Sequence, residues 1–151
     1  VTKMKRSFLF IGLTLLFSFN ITIPHSLFAK SPKITITELS SLQFADIVAG
    51  TAAQSEIVLP GDVGAAGFNI TGEPLQLISI SIRGNKKISR GKNKIFIETF
   101  YFGGALNAKG LGTFDVGGDL NGVKIGAKIN IPANTSPGKY SRRFKLRAVY
   151  Q

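Results

Sequence analysis

Chemistry can be attached to three features of this chain: two neighbouring carboxylates, a run of cations, and a closing stretch that alternates apolar with basic residues. Asp115 and Asp119 flank Gly117-Gly118, with Asn121 close behind, a grouping of oxygen ligands that would suit a hard cation. The spacing lacks the dense alternating acids of a calcium loop, so these residues read as polar turn residues. Gly117-Gly118 is not a phosphate loop, because it has neither the glycine spacing nor the terminal lysine. The single histidine, His25, lies in an apolar leader, and there is no cysteine. Without imidazole or thiol, the rest of the chain lacks the usual base for a serine nucleophile, every thiol mechanism, and the common zinc and copper ligands. The expectation is a protein that is not an enzyme and uses no metal or cofactor.

The cations are Arg83, Lys86, Lys87, Arg90, Lys92 and Lys94, with no acid among them, and a second basic strip runs from Lys139 to Arg147. Such a field favours an anionic glycan or lipid, or is simply a solvated face that maintains solubility. Phe96, Phe100, Tyr101 and Phe102 interleave with this region, as stacking aromatics do on a nucleic-acid-binding sheet. Phe96, Phe100 and Phe102 share parity, however, and are expected to fill the core with only Tyr101 outward. Nucleic acid is therefore not the expected partner.

In the closing stretch, Phe144, Leu146, Ala148 and Tyr150 alternate with Arg143, Lys145 and Arg147. That is the pattern of a strand with one face on a core and the other in water. At a sheet border, the same stretch becomes a candidate site of association.

The elements that must position these residues are strands. Ile34 and Ile36 alternate with Thr35 and Thr37, and Phe68 and Ile70 with Asn69 and Thr71. Ile78, Ile80 and Ile82 share one face of a strand over Leu75 to Ile82, which Gly84-Asn85 would close as a tight hairpin turn. Arg90-Gly91-Lys92-Asn93 offers another turn before a strand at Ile95 to Tyr101. Further strands are expected at Thr113 to Val116 and Val123 to Ile131, with glycines marking bulges and close backbone approaches. Pro132 to Gly138 is a turn-rich connection into the last strand. No segment after residue 29 keeps a helical period, so the fold class is all-β, mostly antiparallel.

Ahead of this region, Met4, Lys5 and Arg6 precede the apolar run Phe8 to Phe19, and Ala29 is a small residue suited to cleavage. This is the layout of a helical signal peptide over residues 1–29. Twelve apolar residues fall short of the roughly 20 that span a bilayer. Residues 30–151 are then one domain of an exported protein. Three of the nineteen basic residues leave with the leader, and sixteen against eight acids is a net charge of +8.

Several segments together resemble a family of bacterial exported proteins catalogued only as a domain of unknown function. They are Leu42 to Thr51, Phe68 to Pro74, Gly112 to Gly118, Ile129 to Asn134, and Pro137-Gly138-Lys139-Tyr140. Ala45 stands where that family usually has glycine. The group is similar to fimbrial subunits and spore-coat-type pilin domains, and the resemblance implies an immunoglobulin-like, pilin-like β-sandwich at the envelope or surface of a Gram-negative bacterium. The chain also resembles chaperone-usher pilins, which carry glycine fourteen residues from the end and tyrosine next to last, the places of Gly138 and Tyr150. That resemblance implies a structural subunit that associates with identical or related subunits by strand addition. A periplasmic chaperone and an outer-membrane usher would serve it, and Gly138, Phe144, Leu146, Ala148 and Tyr150 would form the receiving edge. Residues 30–41, with Ile34, Ile36 and Leu39 as plugs, would be either the donated strand or the first strand of a self-contained domain. The alternative is a monomeric binding module that holds anionic glycan or lipid on the basic hairpin.

Overall fold

A computed structural model describes residues 32–45, 50–84, 86–138 and 140–151. The expected signal peptide lies outside the described residues. Those described contain nine strands and no helix: β1 (Thr35–Ser40), β2 (Gln54–Val58), β3 (Ala66–Thr71), β4 (Leu77–Arg83), β5 (Lys87–Arg90), β6 (Asn93–Gly104), β7 (Leu111–Thr113), β8 (Asp119–Ile131) and β9 (Lys145–Tyr150). They form two antiparallel sheets. The larger runs β1-β3-β8-β6-β5, with β2 also pairing β8, and the smaller runs β7-β4-β9.

The longest strand, β8, organises the larger sheet. Its first half pairs with β3 and its second half with β2, while β6 runs along its other side. Inward positions along β8 are Leu120, Val123, Ile125, Ala127, Ile129 and Ile131, all buried. The step of three between Leu120 and Val123 reflects a register shift opposite Phe68 and Ile70, where Gly122 takes φ +74°. An extra residue in one strand rotates everything beyond it to the other face. Gly126 points to the outer face of the sheet, where a Cβ would run into the carbonyl oxygen of Val58, so glycine there permits backbone to cross over backbone.

Two apolar clusters result. In the first, Phe68, Ile70, Leu120, Val123 and Ile125 of the larger sheet meet Ile78 and Ile80 of the smaller, with Leu106 and Phe114. Phe114, Ile70, Ile78 and Val123 are the largest side chains that are completely enclosed, and each contributes about 1.5–3 kcal/mol of transfer free energy. The second cluster gathers Ile88, Ile95, Ile97, Ala127, Ile129 and Ile131. It is covered by Leu42, Phe44, Tyr140 and Phe144 from connecting segments.

Three expectations need correction. Gly84-Asn85 does not close a hairpin, because β4 pairs with β7 and β9 in one sheet while β5 pairs with β6 in the other. The chain changes sheets there, and Asn85 lies outside the described residues. The true hairpin is the next one, where Arg90 pairs with Asn93 and Gly91 takes φ +57° at the first loop position. Thr113 to Val116 is not a strand: β7 ends at Thr113, and Asp115 begins a turn instead. Phe96 is not core. A register shift between Ile97 and Thr99 separates its parity from that of Phe100 and Phe102, so Ile95 and Ile97 point inward and Phe96 is 41% exposed. The ammonium of Lys87 sits over the Phe96 ring, 5.4 Å from its centre.

Candidate assembly edge

The last strand, β9, forms a border of the smaller sheet, since β4 is its only partner among the described residues. Leu146, Ala148 and Tyr150 are half-buried, and Lys145, Arg147 and Val149 are exposed. The register is regular: Ile78 faces Tyr150, Ile80 faces Ala148 and Ile82 faces Leu146. The amide of Gln151 donates to the carbonyl of Leu77 at 3.0 Å. Hydrogen-bonded and non-bonded pairs alternate in an antiparallel ladder. This bond therefore makes Val149, Arg147 and Lys145 the residues whose backbone groups turn toward β4. The N–H and C=O groups of Leu146, Ala148 and Tyr150 turn the other way, along the open side. The residues whose side chains reach the core are thus the ones whose main chains offer hydrogen bonds outward.

The side chains expected at this edge have distinct tasks. Tyr150 packs its ring against Phe114, with centroids 6.2 Å apart. Its hydroxyl accepts a hydrogen bond from the amide of Glu73 and donates one to the carbonyl of Pro32, each at 2.9 Å. It therefore joins the end of β9 to the β3–β4 connection and to the approach of β1, which its alternation pattern did not reveal. Gly72 leaves room for it, since a Cβ there would lie 2.7 Å from the hydroxyl oxygen. Phe144 stands edge-on to Phe100 with centroids 5.4 Å apart and belongs to the second cluster, whereas Leu146, Ala148 and Tyr150 pack on the first. Gly138 has φ +144° and lies beside the guanidinium of Arg90, which donates to the carbonyl of Pro137. It is set apart from the β9 ladder.

Residues 35–40 pair with β3 of their own chain, Thr35 facing Thr71 and Ile36 facing Ile70. Ile34 and Ile36 pack half-buried on the first cluster. Leu39 does not join them: the register shifts between Glu38 and Ser40, and Leu39 is 61% exposed.

Five of the six cations share one hairpin, and Arg83 stands apart from them. Arg83 ends β4 in the smaller sheet, whereas Lys87, Arg90 and Lys94 belong to the β5–β6 hairpin of the larger. Lys92 occupies the hairpin loop, and exposed Lys86 extends the hairpin, its carbonyl accepting from the amide of Ile97 at 2.9 Å. Arg83 finds its neighbours in β9 instead, directly opposite Lys145, with Ser81 opposite Arg147 in the next row. No carboxylate lies within ion-pair distance of these three cations among the described residues, where Lys128–Glu98 is the ion pair that forms, at 2.8 Å. Hydrogen bonds from Lys128 and Asn130 hold the Glu98 carboxyl below its ordinary pKa, and the same bond raises that of Lys128.

Asp115 serves its turn. Its carboxylate accepts from the amides of Gly117 and Asp119 at 2.8 and 2.9 Å, and Gly118 takes φ +85°. Among the described residues no three His, Cys, Asp or Glu side chains gather as a metal site would need.

No curated protein and no solved structure matches the chain. A family-wide sequence model does match it, from residue 49 to residue 150 and so from just ahead of β2 to the end of β9. The chain belongs to the family described as Domain of unknown function (DUF4402).

Proposed function

We propose that this protein is an exported, immunoglobulin-like β-sandwich that acts as a structural subunit of a fimbria-like or other cell-surface assembly, taking up a partner's strand along β9. The order β1-β3-β8-β6 follows the A-B-E-D sheet of an immunoglobulin domain, and β4 beside β9 follows C and F. In that comparison the position next to F belongs to strand G, and among the described residues it is empty. The observation that carries the reading is the outward-turned main chain of Leu146, Ala148 and Tyr150 above half-buried apolar side chains. A strand laid there gains backbone bonds from the ladder and buries its alternate side chains on the core. In this reading β1 is the chain's own first strand, and a periplasmic chaperone would cover the β9 edge before assembly.

Fractionation of the native host with negative-stain microscopy tests the reading. Labelled chain should appear in surface fibres or in denaturant-resistant ladders, and Leu146→Asp should remove it from them. Recovery of the wild-type chain wholly as a free monomer would contradict the proposal.

A further inference from the structure

The charge pattern beside the open edge specifies what kind of strand fits it, given the strand-addition reading above. On the outer face of the smaller sheet, Arg83 lies directly across from Lys145, and Ser81 across from Arg147. Like charges directly opposite destabilise a strand pair, and opposite charges stabilise it. Arg83 and Lys145 are thus a paired liability with no carboxylate within ion-pair distance of them among the described residues. A strand added beyond β9 would extend these rows by one residue each, next to Lys145 and next to Arg147. Its intervening residues would point inward to Leu146, Ala148 and Tyr150.

Two occupants from this chain fit poorly. A second copy of β9 would set Lys145 and Arg147 against cations of their own kind, which is one way proteins guard a sheet border. A second copy's first strand has inward residues of the right kind, Ile34 and Ile36. Its outward residues are Lys33, Thr35 and Thr37, which bring another cation and no acid. We propose that the β9 edge takes a strand from a different chain, one with apolar inward residues and Asp or Glu at the outward positions beside Lys145 and Arg147. The cations then do two things at once: they discourage pairing between copies, and they select the partner.

Three labelled peptides tested against the full chain by fluorescence anisotropy decide the matter. Two share alternating Ile and Val inward residues and differ in carrying Glu or Lys outward, and the third is the chain's own segment 30–41. The Glu peptide should bind about tenfold more tightly than either other peptide at low salt, a ratio equivalent to 1.4 kcal/mol. The preference should vanish near 1 M salt, where the screening length is ~3 Å. Arg147→Glu, at an exposed position, leaves Lys145 in place and should abolish the preference. Equal binding of the Glu and Lys peptides would overturn the charge selection while leaving strand addition standing. Equal or tighter binding of segment 30–41 would make the partner a second copy and overturn the inference. Binding of none of the three would overturn strand addition itself, and the inference with it.

Discussion

Replacing Tyr150 with phenylalanine removes one oxygen atom and tests how the end of the chain is fastened. The ring stays against Phe114, so no cavity opens and the change isolates two hydrogen bonds. A typical hydrogen bond contributes about 1 kcal/mol net, and a sheltered donor left unpartnered costs about 1–3 kcal/mol. The amide of Glu73 is such a donor, in a part-buried bond, while the carbonyl of Pro32 lies where water can replace the hydroxyl. The expected loss is therefore about 1.5–3 kcal/mol, weighted toward Glu73. For a domain of this size each kcal/mol lowers the melting temperature by about 4 °C, so a fall of about 6–12 °C is expected. Urea unfolding should show a lower midpoint with an unchanged slope. Hydrogen exchange supplies the local readout: the Glu73 amide should lose protection, and the β1 amides should open more readily. A loss below about 0.5 kcal/mol, too small for even one typical hydrogen bond, would refute the role assigned to the hydroxyl, as would an equally protected Glu73.

Other substitutions probe separate parts of the fold. Gly126→Ala drives a methyl into the Val58 carbonyl, a backbone atom that cannot swing aside, and should cost at least about 2 kcal/mol or abolish soluble expression. Ile78→Ala, at a completely enclosed position between the sheets, should cost about 2–5 kcal/mol by urea unfolding. The Glu98 carboxyl is held below its ordinary pKa by Lys128, so its contribution is present above the unfolded-state value and is lost as pH falls through the folded one. An NMR titration should show the Glu98 pKa rising in Lys128→Met, and an unmoved value would contradict the pairing.

The strands were legible wherever period-two alternation ran uninterrupted. Ile78, Ile80 and Ile82 are the inward residues of β4, and Leu146, Ala148 and Tyr150 those of β9, as the alternation implied. Legibility failed where an inserted residue broke the period. Phe96, Phe100 and Phe102 share parity in the sequence, but the shift at Glu98 turns the first of them outward, and nothing in the local residues announces it. The Gly84-Asn85 misreading has a different origin. Turn chemistry reports that the chain bends, whereas which strand pairs with which is set by inward faces distant in sequence. The same non-local pairing moves Arg83 from the basic hairpin, where sequence neighbours would put it, to the side of Lys145 and Arg147. The Tyr150 hydroxyl, which reaches a carbonyl 118 residues away, could not be found from spacing at all.

The central claim is that β9 offers an unpaired main chain on one side only, and amide hydrogen exchange along six residues tests it directly. In the isolated protein the amides of Lys145, Arg147 and Val149 should be protected by β4, while those of Leu146, Ala148 and Tyr150 exchange rapidly. Binding of a partner strand should slow the second set and leave the first unchanged. Uniform protection of all six amides in the isolated chain would mean that the border is already covered, and the account would fail.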